Sequence, residues 1–351
     1  MRPLLAPAAR RLWRDAASLQ LGTPVPLVVE GLDEHRRRLL PLLDGSRTQQ
    51  QVLADASRLG VPEPEEVLVV LHEAGLLVDA DAVRVTGLDP DEHDRLAPDL
   101  ACLALVRGAG AGAAMLARRQ ARVVVLGAGR VGAPLAALLQ AAGVGTVDVL
   151  DEGLARPEDQ AVGGVGPADL GRRRDDALRS RTGTRSDASP GTRGAGPAPT
   201  TPPAVVVLAD EAADASGPVL VADGLAHLRA RVEGAVGVVG PLVLPGASAC
   251  LRCLDLVRTA LDPAWPALAA QPDTRSRSAQ ACDGVLAVAV AAQAALQVLQ
   301  LLEGDRPASV GGTLELVLPG WQWRRRTWPR HPGCGCGAVL TLPEAAAGLA
   351  A

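Results

Sequence analysis

The sequence predicts an α/β protein in which a doubly wound, Rossmann-like domain follows a small winged-helix-like domain. Three observations carry this. Residues 121–151 read strand, glycine turn, helix, strand, and residues 123–126 are an uninterrupted apolar run. Such a run suits a parallel strand buried on both faces. Residues 25–85 read strand, three helices and a short hairpin. Two close cysteine pairs, Cys250/Cys253 and Cys334/Cys336, bracket an Ala-rich helix near the C-terminal end.

The 351 residues suit two domains, and 48% hydrophobic with 21% charged residues excludes wholesale disorder. The sequence has no Lys, Ile, Phe, Tyr or Asn, so all 35 basic residues are Arg and the only aromatic residues are five Trp. The missing residues have A/T-rich codons, so a GC-rich coding sequence accounts for most of the bias. A net charge of -4 advertises no nucleic-acid partner. MRPLLAPAARRLWRD at the start is broken by Pro and Arg and lacks the apolar run of a secretory signal. We expect a cytoplasmic chain, in which six Cys serve as metal ligands or reactive thiols more readily than as disulfides. The longest uncharged apolar stretch, 285–302, carries Gln293, Gln297 and Gln300 on one face, which favours a buried helix over a membrane span.

In chain order, Val25, Leu27 and Val29 alternate as a short strand. Helices follow over 33–43, 49–59 (capped by Thr48, ended at Gly60) and 63–74. Val67, Leu68, Val70, Leu71 and Ala74 form the apolar face of the third. A hairpin over 76–85 completes the first domain, residues 1–86, and residues 87–120 read as a linker. The second domain, 121–351, opens with the strand at 123–126 and a second strand at 146–150. Residues 182–203 are a low-complexity loop. Further strands are expected at 204–208, 219–222 and 236–244.

Gly127, Gly129 and Gly132 form G-x-G-x-x-G between strand and helix, where backbone N–H groups make an anion site that only glycine lets a phosphate approach. Asp151 ends the second strand, 22 residues after Gly129, the spacing at which an acid meets a ribose hydroxyl. The four cysteines of the two pairs can close a tetrahedral thiolate zinc site that staples the tail to the domain. Asp210, after the third strand, could hold Mg²⁺ or orient a ribose, or be an ordinary loop carboxylate. Cys282 precedes the Ala-rich helix, where a helix N-terminus favours a thiolate but Asp283 opposes one; it reads first as a core cysteine. Cys102 reads as packing, His227 as a core or helix-surface residue, and His331 as a neighbour of the metal. Arg172, Arg173 and Arg174 read as a solvated helix face, and Arg324–Arg326 among Trp321, Trp323 and Trp328 as a strand edge.

Taken together, VVVLGAGRVG, VDVLDEG, VVVLAD, GASACLRC, ACDGVLAVAVAAQAALQVLQLLEG and CGC, in this order, resemble the ThiF/MoeB-type adenylyltransferases, relatives of ubiquitin-activating enzymes. The resemblance implies binding of ATP and magnesium and adenylation of the C-terminal carboxylate of a peptide or small carrier protein. It assigns Gly127, Gly129 and Gly132 to the phosphate turn, Asp151 to the ribose and Asp210 to Mg²⁺. In some members a cysteine then receives the acyl group, and Cys282 occupies the matching place. The family's Asn-Leu-x-Arg-Gln is absent, its stretch reading Arg156-Pro-Glu-Asp-Gln160, and Arg174 is the nearest match to the family's Lys. Homodimerisation is implied by the same resemblance.

The first domain resembles the winged-helix peptide-recognition elements of peptide-natural-product pathways, which take a precursor's leader peptide as an added strand. The pairing resembles the partner proteins of azole-forming cyclodehydratases, in which a separate YcaO-type enzyme uses the ATP. Two functions follow: ATP-dependent activation of a peptide carboxylate, or a degenerate scaffold that presents a leader peptide. A nicotinamide oxidoreductase would suit the glycine turn with Asp151 but leaves both cysteine pairs unexplained.

Overall fold

The computed structural model describes residues 1–5, 10–22, 27–182, 201–271 and 281–337. Its chain contacts define two compact units, Met1–Arg119 and Gln120–Ala351.

In the first unit, β1 (Pro3–Leu5), β2 (Arg11–Trp13), β3 (Leu19–Leu21) and β4 (Leu27–Val29) precede α1 (Gln49–Arg58) and α2 (Pro64–Glu73). Then come β5 (Leu77–Asp79), α3 (Ala80–Val83), α4 (Pro90–Arg107) and α5 (Ala111–Gln120). β2, β3 and β4 form an antiparallel sheet, and β1 pairs with β5. Thr48 caps α1 in a capping box with Gln51. Where a helix is predicted over 33–43, a 3-10 turn spans Arg36–Leu42, because Pro41 inside it cannot donate to a longer ladder. On α2, Val67, Leu68 and Leu71 are buried as expected, but Val70 faces solvent.

Two expectations need correcting in this unit. The hairpin over 76–85 is absent: Leu77–Asp79 pairs with Pro3–Leu5 instead. The Asp79 carboxylate then accepts the Asp81 N–H and starts a helix. Residues 87–120, read as a linker, are mostly helical. Asp89 caps α4 with Pro90 at its first turn, and Leu96, Leu103, Ala111 and Met115 form a core of their own.

The second unit is a seven-stranded sheet in the order β12-β11-β10-β9-β8-β6-β7. Its strands are β6 (Arg122–Leu126), β7 (Thr146–Leu150), β8 (Val205–Leu208), β9 (His227–Glu233), β10 (Val236–Val243), β11 (Gly312–Val317) and β12 (Gln322–Thr327). β7, β6, β8 and β9 run parallel, and β10 to β12 continue antiparallel. The helices are α6 (Gly132–Ala141), α7 (Arg174–Thr182), α8 (Gly217–Ala222), α9 (Leu251–Leu261), α10 (Trp265–Ala269) and α11 (Gly284–Leu302). Val123, Val125, Leu135, Leu139, Val207, Leu228, Val290 and Ala294 belong to one core of sheet, α6 and α11. By length and composition alone α11 could cross a membrane, but its Ala287, Val290, Ala294 and Val298 are buried in this core. Gly237 lets it lie close, since a Cβ there would stand 2.5 Å from Val290 Cγ2.

The strand expected at 219–222 is instead the helix α8, with Pro218 in its first turn. A short apolar run fits either state, and Pro218 at the first turn favours the helix. The loop expected at 182–203 lies almost wholly outside the described residues.

Candidate functional site

β7 and β8 flank β6 on opposite sides, so the chain reverses its winding at β6. The crevice at the carboxyl ends of β6 and β8 is therefore the switch point, where open α/β sheets hold their ligands. The glycine turn leaves β6 there. Gly127 has φ +100°, and a Cβ on it would stand 2.7 Å from Asp210 Cβ. A Cβ on Gly132 would overlap the Gly127 carbonyl oxygen. Both glycines are thus required by close approach, and the turn lies directly against Asp210, two residues past the end of β8. Asp210 is half-buried and caps the following 3-10 turn, accepting the Ala212 N–H at 3.1 Å. Ala133 N–H donates to the Gly129 carbonyl at 3.1 Å as α6 begins.

Asp151, at the end of β7, accepts four hydrogen bonds. Its Oδ2 takes the Ala128 N–H at 2.7 Å and Arg174 Nε at 2.9 Å; its Oδ1 takes the Gly153 N–H at 2.8 Å and Arg174 Nη2 at 2.8 Å. Arg174 Nη1 donates to Asp159 Oδ2 at 3.2 Å, and that same oxygen accepts the Arg156 N–H at 3.0 Å. Arg174, Asp151 and Asp159 are all buried, with side-chain exposures of 6%, 6% and 2%. Burial alone would raise the Asp151 pKa, but the Arg174 guanidinium and the two backbone N–H groups outweigh it and hold the carboxyl below its ordinary range. Burial likewise works against the Arg174 cation, and the two carboxylates raise its pKa regardless. Arg174 is therefore no part of a solvated helix face; Arg173 and Arg172 pair locally with Asp175 and Asp169. Asp159 escaped the sequence reading. Its one local signal is its place three residues after Arg156, the spacing of a turn-capping acid.

Arg130, inside the glycine turn, donates through Nη1 to the Cys282 carbonyl at 2.5 Å. That bond ties the turn to the start of α11, which Asp283 caps through the N–H groups of Val285 and Leu286. Cys282 itself is half-buried against the sheet core.

The four remaining sulfurs of interest converge. Cys250, Cys253, Cys334 and Cys336 place their Sγ atoms within 4.8 Å of one another, with separations of 3.8, 3.6 and 3.4 Å across three of the pairs. Four thiolates at about 2.3 Å from a tetrahedral zinc stand about 3.8 Å apart, so this cluster fits that ion. Burial raises the thiol pKa of Cys250 and of Cys336, while at Cys253 burial is outweighed by hydrogen bonds, which lower the pKa; a bound cation would favour the thiolate form of all four. Trp328 packs in the same core, its Nε1 donating to Thr313 Oγ1 at 3.0 Å. His331 contributes its Nδ1 to the Gly333 N–H at 3.1 Å, within the turn that leads to Cys334.

His227 sits on β9, fully buried. Its Nδ1 faces the Leu225 carbonyl at 3.0 Å, and its Nε2 is buried without a partner. Arg229, Arg231 and Glu233 alternate with it on the same face, opposite Asp214.

No protein-family model matches the chain, and no curated protein matches it in sequence. Solved structures do match. E. coli MccB with MccA-N7isoASN has a TM-score of 0.70 at 16% identity, covering 96% of this chain and all of that one. E. coli MccB with ATP has a TM-score of 0.70 at 14% identity, covering 96% and 99%. PaaA has a TM-score of 0.60 at 16% identity, covering 79% and 94%. The chain thus has the fold of MccB, shared at identities that carry the fold and nothing finer.

Proposed function

We propose that the chain activates the C-terminal carboxylate of a peptide with ATP. The observation that carries this reading is the pairing of Gly127 with Asp210 across the switch point, which sets an anion-binding turn beside a carboxylate able to hold Mg²⁺. MccB structures with ATP, and with the peptide MccA, support the same chemistry. In this reading the backbone N–H groups of the turn and of the α6 N-terminus bind the triphosphate, and Asp151 receives the ribose. The peptide carboxylate attacks the α-phosphorus, the bond to the bridging oxygen breaks, and pyrophosphate leaves with both electrons of that bond. Mg²⁺ held at Asp210 would offset charge on the departing pyrophosphate. Cys282, whose backbone carbonyl accepts from Arg130 of the turn, would be the acyl acceptor. Zinc at the four cysteines would be structural, holding the tail to α9.

The first unit is the peptide reader in this account. Its sheet ends in β4, whose Leu27 and Val28 are exposed, as a winged-helix-type element that adds a leader peptide as a strand requires. The protein would work in the cytoplasm, as a homodimer.

A second reading is favoured by one observation: Arg174 saturates Asp151. In it the domain is a scaffold that presents a leader peptide to a YcaO-type enzyme. ATP–pyrophosphate exchange separates the two. The enzyme gives Mg²⁺-dependent exchange that Asp210→Asn lowers by about 100-fold or more. The scaffold gives none while still binding peptide.

A further inference from the structure

We infer that Arg174 is a gate on the nucleotide site, occupying the position of the ribose on Asp151 until a nucleotide displaces it. The inference rests on the reading that Asp151 receives the ribose of ATP.

A carboxylate offers about four acceptor positions, two on each oxygen. Asp151 has all four filled: by Ala128 N–H and Arg174 Nε on one oxygen, and by Gly153 N–H and Arg174 Nη2 on the other. The two backbone donors belong to the glycine turn and to the bend after β7, so they stay with the fold. The two guanidinium donors are the only ones a ribose diol can replace, and they match it in kind: two donors, side by side, reaching both oxygens.

Arg174 is held in this pose by more than Asp151. Its backbone N–H donates to the Gly153 carbonyl at 2.8 Å, and Gly153 has no side chain where the guanidinium lies. Its third guanidinium nitrogen is anchored on Asp159. Asp159 comes from Arg156-Pro-Glu-Asp, the stretch that stands where the resembled family has Asn-Leu-x-Arg-Gln. Two departures from the family pattern therefore meet. The changed stretch supplies a carboxylate, and the changed Lys position supplies the guanidinium that spans both acids. A lysine at 174 could satisfy one of these carboxylates as a point charge, but not both oxygens of Asp151 together with Asp159.

The consequence is specific to the ribose. A nucleotide must break two hydrogen bonds from a charged guanidinium to gain two from neutral hydroxyls on the same carboxylate, so the ribose adds no affinity. The phosphates, bound at the turn, are unaffected. Calorimetry on the full chain with Mg²⁺ tests this, with ATP and 2′,3′-dideoxy-ATP, which lacks only the two ribose hydroxyls, as the two probes. In the native protein the two bind within about threefold of each other, because the ribose gain is cancelled. In Arg174→Lys, ATP binds about tenfold tighter or more while dideoxy-ATP does not change, and Asp151→Asn in that background abolishes the gain. Native protein that already prefers ATP over dideoxy-ATP by tenfold, or an Arg174→Lys protein with no gain for ATP, overturns the gate and leaves the nucleotide site standing. Folded protein that binds ATP in neither form overturns the proposed function, and the gate with it. The native comparison alone decides the matter if the variant does not fold.

Discussion

Arg174 grips Asp151 with two nitrogens, Nε on Oδ2 at 2.9 Å and Nη2 on Oδ1 at 2.8 Å, in a pocket where each side chain is 6% exposed. Breaking such a pair strands a buried charge, which costs about 3–5 kcal/mol. Arg174→Met should therefore lower stability by about 3 kcal/mol or more in urea unfolding, since it strands both Asp151 and Asp159. The pair also sets an acid limb. The folded Asp151 pKa lies below its unfolded value of 3.8, so its contribution is full above that value and is lost as pH falls through the folded pKa. The Arg174→Met protein should lack that part of the acid dependence.

Gly132→Ala should be among the most damaging single-methyl changes in the chain. The added Cβ would overlap the Gly127 carbonyl oxygen, which is backbone and cannot swing aside. Overpacking of this kind costs about 3 kcal/mol or more when the neighbour is rigid. Thermal melting checks it, with Gly224→Ala as a comparison: nothing lies within 4 Å there, and only its φ of +71° is strained.

The cysteine cluster predicts a metal. Purified protein should carry zinc near one equivalent, and Cys253→Ser, at a fully buried ligand, should lose it and about 3 kcal/mol or more of stability. Elemental analysis beside a melting curve tests both. A native protein without metal at near-stoichiometric level contradicts the zinc assignment.

His227 gives a second pH dependence, of the opposite origin. Burial lowers its pKa below 6.5, while the Leu225 carbonyl and Asp214 pull it back up. The unfolded chain therefore takes up a proton near pH 6.5 that the folded protein refuses, and stability falls as pH drops below that value. Asp214, raised mainly by its own burial, acts in the reverse sense above 3.8. His227→Gln isolates the histidine: the slope between about pH 7 and 5 should flatten in denaturant titrations.

Much of this was legible in the sequence, for physical reasons. β6, α6 and β7 were readable because both strand periodicity and the glycine turn are local. α1 announced itself through Thr48 and Gln51. The two cysteine pairs could be matched to one another because zinc tolerates few alternatives to four close thiols. β9 is hard to read because polar His227, Arg229 and Arg231 alternate with core-facing Leu228 and Ala230 in a strand whose two faces are both covered, so its polar face does not mark a solvent side. The helices of residues 87–120 were missed because a Gly-Ala stretch reads as loop; Gly112 instead serves close packing against the Ala82 carbonyl. The grip of Arg174 on Asp151 and Asp159 could not be read at all. It joins residues 15 and 23 positions apart through a fold that only the assembled sheet defines.

We propose a nucleotide site in the crevice between Gly127 and Asp210, with Arg174 as its movable guard. A crystal structure of the chain with ATP and Mg²⁺ tests it most directly. The triphosphate should lie on the turn from Gly127 to Gly132, the metal at Asp210, and the ribose on Asp151 with Arg174 displaced from it. A nucleotide bound elsewhere, or one seated on the turn while Arg174 still holds Asp151 through both nitrogens, would contradict it.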